Sequence, residues 1–166
     1  MKAATDNPGV TSLRALGQYY LAERQADKAI DQFNAALALD PNDAKSHLNL
    51  GAALLEKGKQ DAGKPLGSSG VENFSRSLEH LNQGLLLDNT SLEGYFNRAL
   101  VYQYMMLPDD AEAAWRDYLQ RDPNSQWAAE AKRNLKSLEE SNNRKLATMN
   151  SPNTTKRCRR CRPTSV

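Results

Sequence analysis

Hydrophobic residues recur every three or four positions over most of this chain, which is the spacing of one face of an α-helix. The first two segments with this spacing cover residues 11–23 and 27–39, and Pro41 follows them. Because proline cannot continue a helix, it marks the end of a two-helix unit. The pattern predicts further helix pairs downstream and therefore an all-α fold.

The spacing of the first unit returns 82 residues later. Its eight positions are occupied first by Leu13, Leu16, Gly17, Tyr20, Ala29, Phe33, Ala36 and Pro41, and then by Tyr95, Arg98, Ala99, Tyr102, Ala111, Trp115, Tyr118 and Pro123. This repetition predicts two helix pairs of the same shape. Gly17 and Ala36 have small side chains, which we expect to let the two helices of the first pair approach closely.

The pattern of a large residue, Leu-Gly, an aromatic residue, Ala, a second aromatic residue and a closing Pro resembles the tetratricopeptide repeat (TPR). The resemblance implies a right-handed superhelical stack of helix hairpins, with three repeats and a C-terminal capping helix. The repeats are expected at about 11–43, 44–91 and 92–125, and the cap at 125–140, within a domain over 11–140. In such a stack the first helix of each pair lines a concave binding face.

The second unit is longer than the first. It begins in register at His47, but its second half, which begins at Ser77, follows after 30 residues, whereas the first unit needs 16. The 14 added residues fall in a segment rich in Gly, Ser and Pro. Because these residues favour turns, the sequence predicts an enlarged loop over about 58–74, with the delayed helix beginning near Gly70.

Three residue pairs have the spacing of a capping box, in which a Ser, Thr or Asp precedes a Glu by three positions. They are Ser69 with Glu72, Thr90 with Glu93, and Asp109 with Glu112. Each pair predicts a helix that begins at its first member.

Composition limits the class of protein. The chain has 166 residues, of which 39% are hydrophobic. It contains no run of about 18 apolar residues, so we expect no transmembrane helix. The N-terminus lacks the apolar stretch of a secretory signal, which favours a cytoplasmic location.

Charge is divided unevenly along the chain. Residues 1–140 carry 15 basic and 20 acidic residues, whereas residues 141–166 carry seven basic residues and no acid. The second segment has too few apolar residues to offset the entropy of ordering, and we expect a disordered tail. Residues 1–10 are expected to form a flexible lead-in. The acidic body is a poor surface for nucleic acid, while the tail suits weak contact with polyanions.

Candidate binding residues follow from the TPR resemblance, carried over position by position to the first helix of each repeat. The groove positions are Arg14, Gln18, Leu21, Lys45, Asn49, Ala52, Glu56, Glu93, Phe96, Asn97, Leu100 and Tyr104. Asn49 and Asn97 are suited to hydrogen-bond the backbone of an extended peptide. Arg14 and Lys45 are suited to receive an acidic group.

One variant of the family holds the C-terminal carboxylate of chaperone peptides with two Lys, two Asn and one Arg. Asn49 matches this clamp, but Arg14 and Gln18 replace its first Lys and first Asn. Glu93 and Asn97 stand where the clamp needs Lys and Arg. Because Glu93 would repel a carboxylate, the sequence disfavours binding of chaperone tails.

Motifs for catalysis or cofactors are weak. The Gly-x4-Gly-Lys spacing of residues 58–64 resembles a phosphate-binding loop, but Pro65 replaces the hydroxyl residue that holds magnesium. Cys158 and Cys161 supply two of the four ligands of a structural zinc site. His47 and His80 are each alone on a predicted helix, and His47 occupies a packing position. We therefore predict no metal, no cofactor and no enzymatic activity.

The predicted function is a non-catalytic scaffold or adaptor that binds a partner peptide or helix in the concave groove. The alternative is a charge-driven tether, in which the basic cluster 156–162 contacts nucleic acid or an anionic membrane. A narrower similarity covers about 45 residues, from Asn97-Arg98-Ala99-Leu100 to Trp127-Ala128-Ala129-Glu130-Ala131. It is to repeats of large bacterial proteins that also carry caspase-like modules of the CHAT type. It bears on origin alone.

Overall fold

Seven α-helices form the described part of the chain, which in the computed structural model comprises residues 9–62 and 68–149. They are α1 Val10–Ala22, α2 Ala26–Leu39, α3 Ala44–Ala62, α4 Ser68–Leu87, α5 Leu92–Tyr104, α6 Pro108–Arg121 and α7 Gln126–Met149. Each helix packs on the next one in sequence, and α3 also contacts α1 and α5. The helices are therefore stacked in chain order, and the predicted all-α repeat fold is confirmed.

Small residues allow the hairpins to close. A Cβ atom at Gly17 would lie 2.5 Å from the ring of Phe33, and one at Gly51 would lie 2.6 Å from Leu81. Both distances are too short for a real side chain, so glycine is required where the two helices cross. Ala36, the small residue predicted on the other helix of the first pair, is fully buried.

Three apolar clusters form the core along the stack. Phe33, Leu50 and Leu54 join the first hairpin to α3, and Leu55, Phe74, Leu81 and Val101 join the second hairpin to α5. The third cluster contains Tyr95, Phe96, Trp115 and Tyr118, with Leu135 and Leu138 of α7 packed against it. Each repeat thus buries its apolar face against its neighbours, as stacked repeats require.

The second hairpin departs from the predicted loop. Helices α3 and α4 have 19 and 20 residues, compared with 13 and 14 in α1 and α2. Gly58 lies inside α3, where a Cβ atom would meet Phe74 at 2.5 Å. Gly58 follows Gly51 by seven residues, and Phe74 precedes Leu81 by seven, so the close crossing is repeated two turns further on. The described inserted residues extend both helices, and residues 63–67 lie outside the described part.

The C-terminal helix is also longer than predicted. α7 continues to Met149, so residues 141–149, expected in a disordered tail, are helical. Residues 1–8 and 150–166 lie outside the described part, and the polyanion contact of 156–162 stays a prediction. None of the described helices is both long and apolar enough to cross a membrane.

Two of the predicted helix starts are displaced. α5 is capped by Ser91, whose hydroxyl accepts a hydrogen bond from the Gly94 amide at 3.2 Å. Thr90 instead donates its amide and hydroxyl hydrogens to Asp88. α6 begins at Pro108 and has no side-chain cap. Proline suits the first helical position because it lacks the amide hydrogen that would be unpaired there. Ser69 belongs to α4, and its side chain lies outside the described part.

Candidate functional site

A groove opens where α1, α3 and α5 lie side by side. Its cavity has a volume of about 350 Å³. It is lined by Gln18 of α1, Lys45, Leu48 and Asn49 of α3, Asp88 and Ser91 of the α4–α5 turn, and Glu93 of α5. Four predicted groove residues therefore lie around one cavity, and we call it the concave groove.

The concave groove has a mixed charge. Lys45 is its lining cation among the described residues, and Asp88 and Glu93 are its anions. Asp88 accepts hydrogen bonds from the Thr90 hydroxyl at 2.6 Å and the Thr90 amide at 3.0 Å. These bonds stabilise the carboxylate and lower the pKa of Asp88 below its ordinary value. At neutral pH the groove thus has a negative charge beside its polar amides.

Arg14 is held in an ion pair. Its guanidinium donates to the Asp43 carboxylate at 2.8 Å. Asp43 also accepts hydrogen bonds from the amide and hydroxyl of Ser46. Burial opposes ionisation of Asp43, but the hydrogen bonds from Ser46 and Arg14 outweigh it and lower its pKa. Arg14 therefore fixes the α2–α3 turn against α1, and Lys45, whose charge acts on Asp88, is the cation that lines the groove in the described part of the chain.

The groove residues predicted in the third repeat are dispersed. Phe96 is buried, with its ring edge-on to Trp115, Tyr118 and Trp127 at 5.0–5.3 Å. Leu100 is partly buried and packs on two core clusters. Their side chains stabilise the stack and do not line the groove. The partly exposed Asn97 lies on α5, four residues after Glu93.

The remaining positions lie on the first and second repeats or beyond the groove. Ala52, Leu21 and Glu56 are partly buried, and Glu56 pairs with Lys59 at 2.9 Å. Tyr104 lies at the end of α5, where its ring stacks on Phe74 with 5.5 Å between centroids. It lines a different cavity, described below.

Three lining residues were missed by the sequence reasoning: Leu48, Asp88 and Ser91. A usable signal was present for Asp88, because an Asp follows the second helix of each repeat, at Asp40, Asp88 and Asp122. Each of these carboxylates accepts a hydrogen bond from an amide two or three residues further on. The recurrence indicates a turn that places an acid at this edge of the stack.

His47 and His80 are each alone on a helix, as expected, but their side chains meet between α3 and α4. Their Nδ1 atoms are 3.0 Å apart, and Nε2 of His47 lies 3.0 Å from the Pro41 carbonyl. The carbonyl requires a proton on Nε2, so Nδ1 of His47 accepts a hydrogen bond from Nδ1–H of His80. The pair joins α3 to α4. In the described ranges, no three His, Cys, Asp or Glu side chains are placed to hold a metal ion.

Comparison with known proteins identifies the fold. Residues 13–58 match the family model described as TPR repeat. The chain has the fold of a TPR domain. The TPR domain of Arabidopsis OM64 is 19% identical with a TM-score of 0.65, covering 78% of this chain and 95% of that one. No curated protein matches the chain.

Two similar TPR structures contain bound peptides or partner segments. The first TPR of Spaghetti (RPAP3), bound to the HSP90 peptide SRMEEVD, is 17% identical, covers 80% of this chain and 94% of that one, and has a TM-score of 0.64. PcrH, in complex with the chaperone-binding region of PopD, is 22% identical, covers 80% and 92%, and has a TM-score of 0.66. At these identities the comparison establishes the TPR fold. The similarity to repeats of caspase-like proteins stays a prediction.

Proposed function

We propose that this TPR domain is a non-catalytic scaffold or adaptor that binds an extended segment of a partner protein in the concave groove. The observation that carries the proposal is the gathering of Gln18, Lys45, Asn49 and Glu93 around one cavity, although they come from three separate helices. The bound segments in the RPAP3 and PcrH structures support it, because those proteins share this fold.

The amides of the groove are free to recognise a peptide backbone. Neither Gln18 nor Asn49 makes a side-chain hydrogen bond to another residue in the described part of the chain. An amide side chain offers both a donor and an acceptor, which is what one peptide unit requires. Leu48 adds an apolar surface, and its partly buried side chain also packs on two core clusters.

The charges indicate which partner segments fit. Among the described lining residues, the two carboxylates of Asp88 and Glu93 outnumber the one cation, Lys45, which attracts Asp88. Arg14 is bound to Asp43. A segment with several carboxylates would therefore meet a net repulsive surface. We expect the groove to favour neutral or basic segments, in contrast to the acidic peptide SRMEEVD bound by the TPR of RPAP3.

Selection from a displayed peptide library, followed by fluorescence anisotropy with the full chain, tests the proposal. The variant Asn49→Ala with Asn97→Ala removes two amides from the concave helices and should weaken the selected peptide at least tenfold. The matched control, Asn34→Ala with Asn82→Ala, removes two exposed amides from α2 and α4 and should leave the affinity unchanged. Equal loss in both variants, or in neither, contradicts the groove assignment.

The acidic probe SRMEEVD tests the charge preference separately. It should bind the wild-type chain more weakly than the same peptide with its two Glu replaced by Gln. Glu93→Lys should reverse that order, because it replaces a repelling carboxylate with an ammonium group. Tighter binding of the acidic probe to wild type would contradict the charge preference while leaving the groove assignment intact.

A further inference from the structure

The turn between α5 and α6 is apolar, whereas the equivalent turn between α1 and α2 is polar. The first turn reads Ala22-Glu23-Arg24-Gln25-Ala26, and the second reads Tyr104-Met105-Met106-Leu107-Pro108. Met106 is 83% exposed, Tyr104 is 43% exposed and Leu107 is 38% exposed. Three large apolar side chains therefore face solvent at one short turn.

Backbone geometry does not explain this difference. Arg24 and Met106 both have φ of 58°, in the left-handed region. The amides that follow α1 bond to Tyr19, Leu21 and Tyr20 at 2.9–3.0 Å, and those that follow α5 bond to Val101, Gln103 and Tyr102 in the same pattern at 2.9–3.1 Å. The same turn thus forms with polar residues in the first repeat. The apolar residues of the third repeat need another reason.

These apolar residues form one side of a pocket. α7 has 24 residues, compared with 13 in α5 and 14 in α6, and its C-terminal part lies opposite this turn. Leu138, Ser141, Asn142 and Lys145 of α7 face Gln103, Tyr104, Met106, Leu107 and Pro108 across a cavity of about 350 Å³. We call this cavity the C-terminal pocket. It belongs to the open end of the stack and shares no lining residue with the concave groove.

An arginine side chain suits the chemistry of the C-terminal pocket. Its aliphatic stem can cover Met106 and Leu107, while its guanidinium contacts the exposed part of Tyr104. The Tyr104 ring stacks on Phe74, and Lys59 Nζ lies 5.6 Å from its centroid. The chain already has a contact between arginine and tyrosine elsewhere, with the Arg121 guanidinium 3.9 Å from the Tyr95 ring centroid. Beside Pro108, Asp109 and Asp110 are exposed and make no ion pair within the described ranges. They provide carboxylates for the cation.

Lys145 places a positive charge at the C-terminal pocket. It lies on the α7 side of the pocket and would repel a second cation there. The favourable position for an incoming arginine is therefore the α6 side, where Tyr104 and Pro108 line the pocket and Asp109 and Asp110 follow Pro108 in sequence. The pocket thus accepts a basic group in one orientation.

The chain itself supplies such a segment. α7 ends at Met149, one helical turn after Lys145, and 17 residues follow it. They contain no acid, and their five basic residues are Lys156, Arg157, Arg159, Arg160 and Arg162. The six residues 150–155 can span roughly 20 Å when extended. That length is enough for the basic cluster to return past Lys145 to the α6 side.

We propose that the basic segment 156–162 folds back into the C-terminal pocket, with an arginine against Tyr104 and the carboxylates of Asp109 and Asp110. A short tether gives the segment an effective concentration of about the millimolar range. A contact that is weak between separate molecules therefore suffices within the chain. The segment covers the apolar turn, and the pocket lies apart from the proposed peptide groove.

The experiment compares the full chain with a chain that ends at Met149, and both keep all seven described helices. Methionine ε-methyl NMR signals are recorded under reducing conditions, and Met106→Leu assigns the Met106 signal. Deletion of 150–166 should shift the Met106 methyl signal. In the full chain, about 0.5 M salt should move it toward the truncated position, because salt screens exposed charges. A synthetic peptide of residues 150–166, added to the truncated chain, should restore the original shift.

Charge variants test whether the tail binds through Asp109 and Asp110 or whether a second copy of the chain fills the pocket. Asp109→Asn with Asp110→Asn should weaken the added peptide at least threefold. The matched control, Glu23→Gln with Asp31→Asn, removes two exposed carboxylates from the first repeat and should not. Circular dichroism verifies that each variant is folded. An unchanged Met106 signal after deletion overturns the proposal, as does equal binding to both variants. A shift that depends on protein concentration, with a dimer in sedimentation, instead assigns the pocket to a second copy.

Discussion

The first and second hairpins use the same device to bring two helices together, but the second uses it at three positions. In the first hairpin, Gly17 faces Phe33. In the second, Gly84 faces Leu48 and Gly51 faces Leu81, and Gly58 faces Phe74 at an extra crossing two helical turns beyond Gly51. The extra crossing lengthens the hairpin and places Phe74 against Tyr104. A repeat can therefore grow by whole turns without disturbing its neighbours, provided that each added crossing has a glycine.

The largest expected effect comes from truncating the two phenylalanines that fill these crossings. Phe33 is fully buried and Phe74 is 3% exposed. Because each leaves a cavity against a glycine, Phe33→Ala and Phe74→Ala should each lower the free energy of unfolding by about 3–5 kcal/mol. Urea denaturation followed by circular dichroism measures both. If Phe74→Ala costs almost nothing while Phe33→Ala is severe, the second crossing is not packed and residues 58–74 form a loop after all.

Overpacking the same crossings should have a smaller effect. Gly17→Leu and Gly58→Leu each force a side chain into a ring that lies 2.5 Å from the added Cβ atom. We expect each to cost about 1–3 kcal/mol of stability. Gly9, with nothing within 4 Å of an added Cβ atom, is the control position, and Gly9→Leu should be nearly neutral. Similar losses at positions 17 and 58 support equivalent crossings, and a loss at Gly9 as well would show that leucine itself is harmful.

The hairpins also differ at one equivalent position, Ala29 in the first and Ser77 in the second. Ser77 is fully buried, and its hydroxyl donates to the Gly51 carbonyl at 2.6 Å. Ser77→Ala removes one buried hydrogen bond and should lower stability by about 1 kcal/mol. Ser75→Ala is the control, because the Ser75 hydroxyl bonds an exposed carbonyl of its own helix. Equal effects of the two changes in urea denaturation would mean that Ser77 does not help to join α3 to α4.

How far the sequence predicts this molecule depends on whether a residue acts locally or across helices. Gly17 and Ala36 could be assigned because the periodic pattern places them at a helix crossing. Gly58 could not, because glycine is equally common in turns and its partner Phe74 lies beyond the inserted segment. The available signal was that Gly58 follows Gly51 by seven residues, which places both glycines on the same face of a helix. The added residues of the second hairpin were therefore predicted to form a loop over 58–74, whereas the described ones are helical.

The same limit applies to the groove. Lys45, Asn49 and Glu93 could be placed because they recur at fixed positions of the first helix of each repeat. Arg14 belongs to the same set, but its pairing with Asp43 depends on the α2–α3 turn, which helical periodicity does not describe. Phe96 follows the repeat pattern too, yet it is buried by Trp127 and the third hairpin. The pairing of Arg14 and the burial of Phe96 could therefore be recognised only from the tertiary structure.

The smallest expected effect concerns acid stability and the histidine pair that joins the long hairpin, for which the first hairpin has no counterpart. Burial is the main cause that lowers the pKa of His80 below its ordinary value of 6.5, with smaller effects of His47 and Arg76. Glu79, which precedes His80 on α4, acts in the opposite direction. The unfolded chain therefore binds a proton at His80 more readily than the folded chain does.

It follows that stability should fall as the pH drops below about 6.5, until His80 is protonated in the folded state as well. His80→Gln keeps a hydrogen-bonding side chain without the titration and should flatten this part of the profile. Urea denaturation at a series of pH values from 7.5 to 5 (about one ordinary histidine titration range) measures it. An unchanged slope in His80→Gln would contradict the assignment to His80. Asp43 does not account for a slope in this range, because its lowered pKa keeps it ionised to a still lower pH.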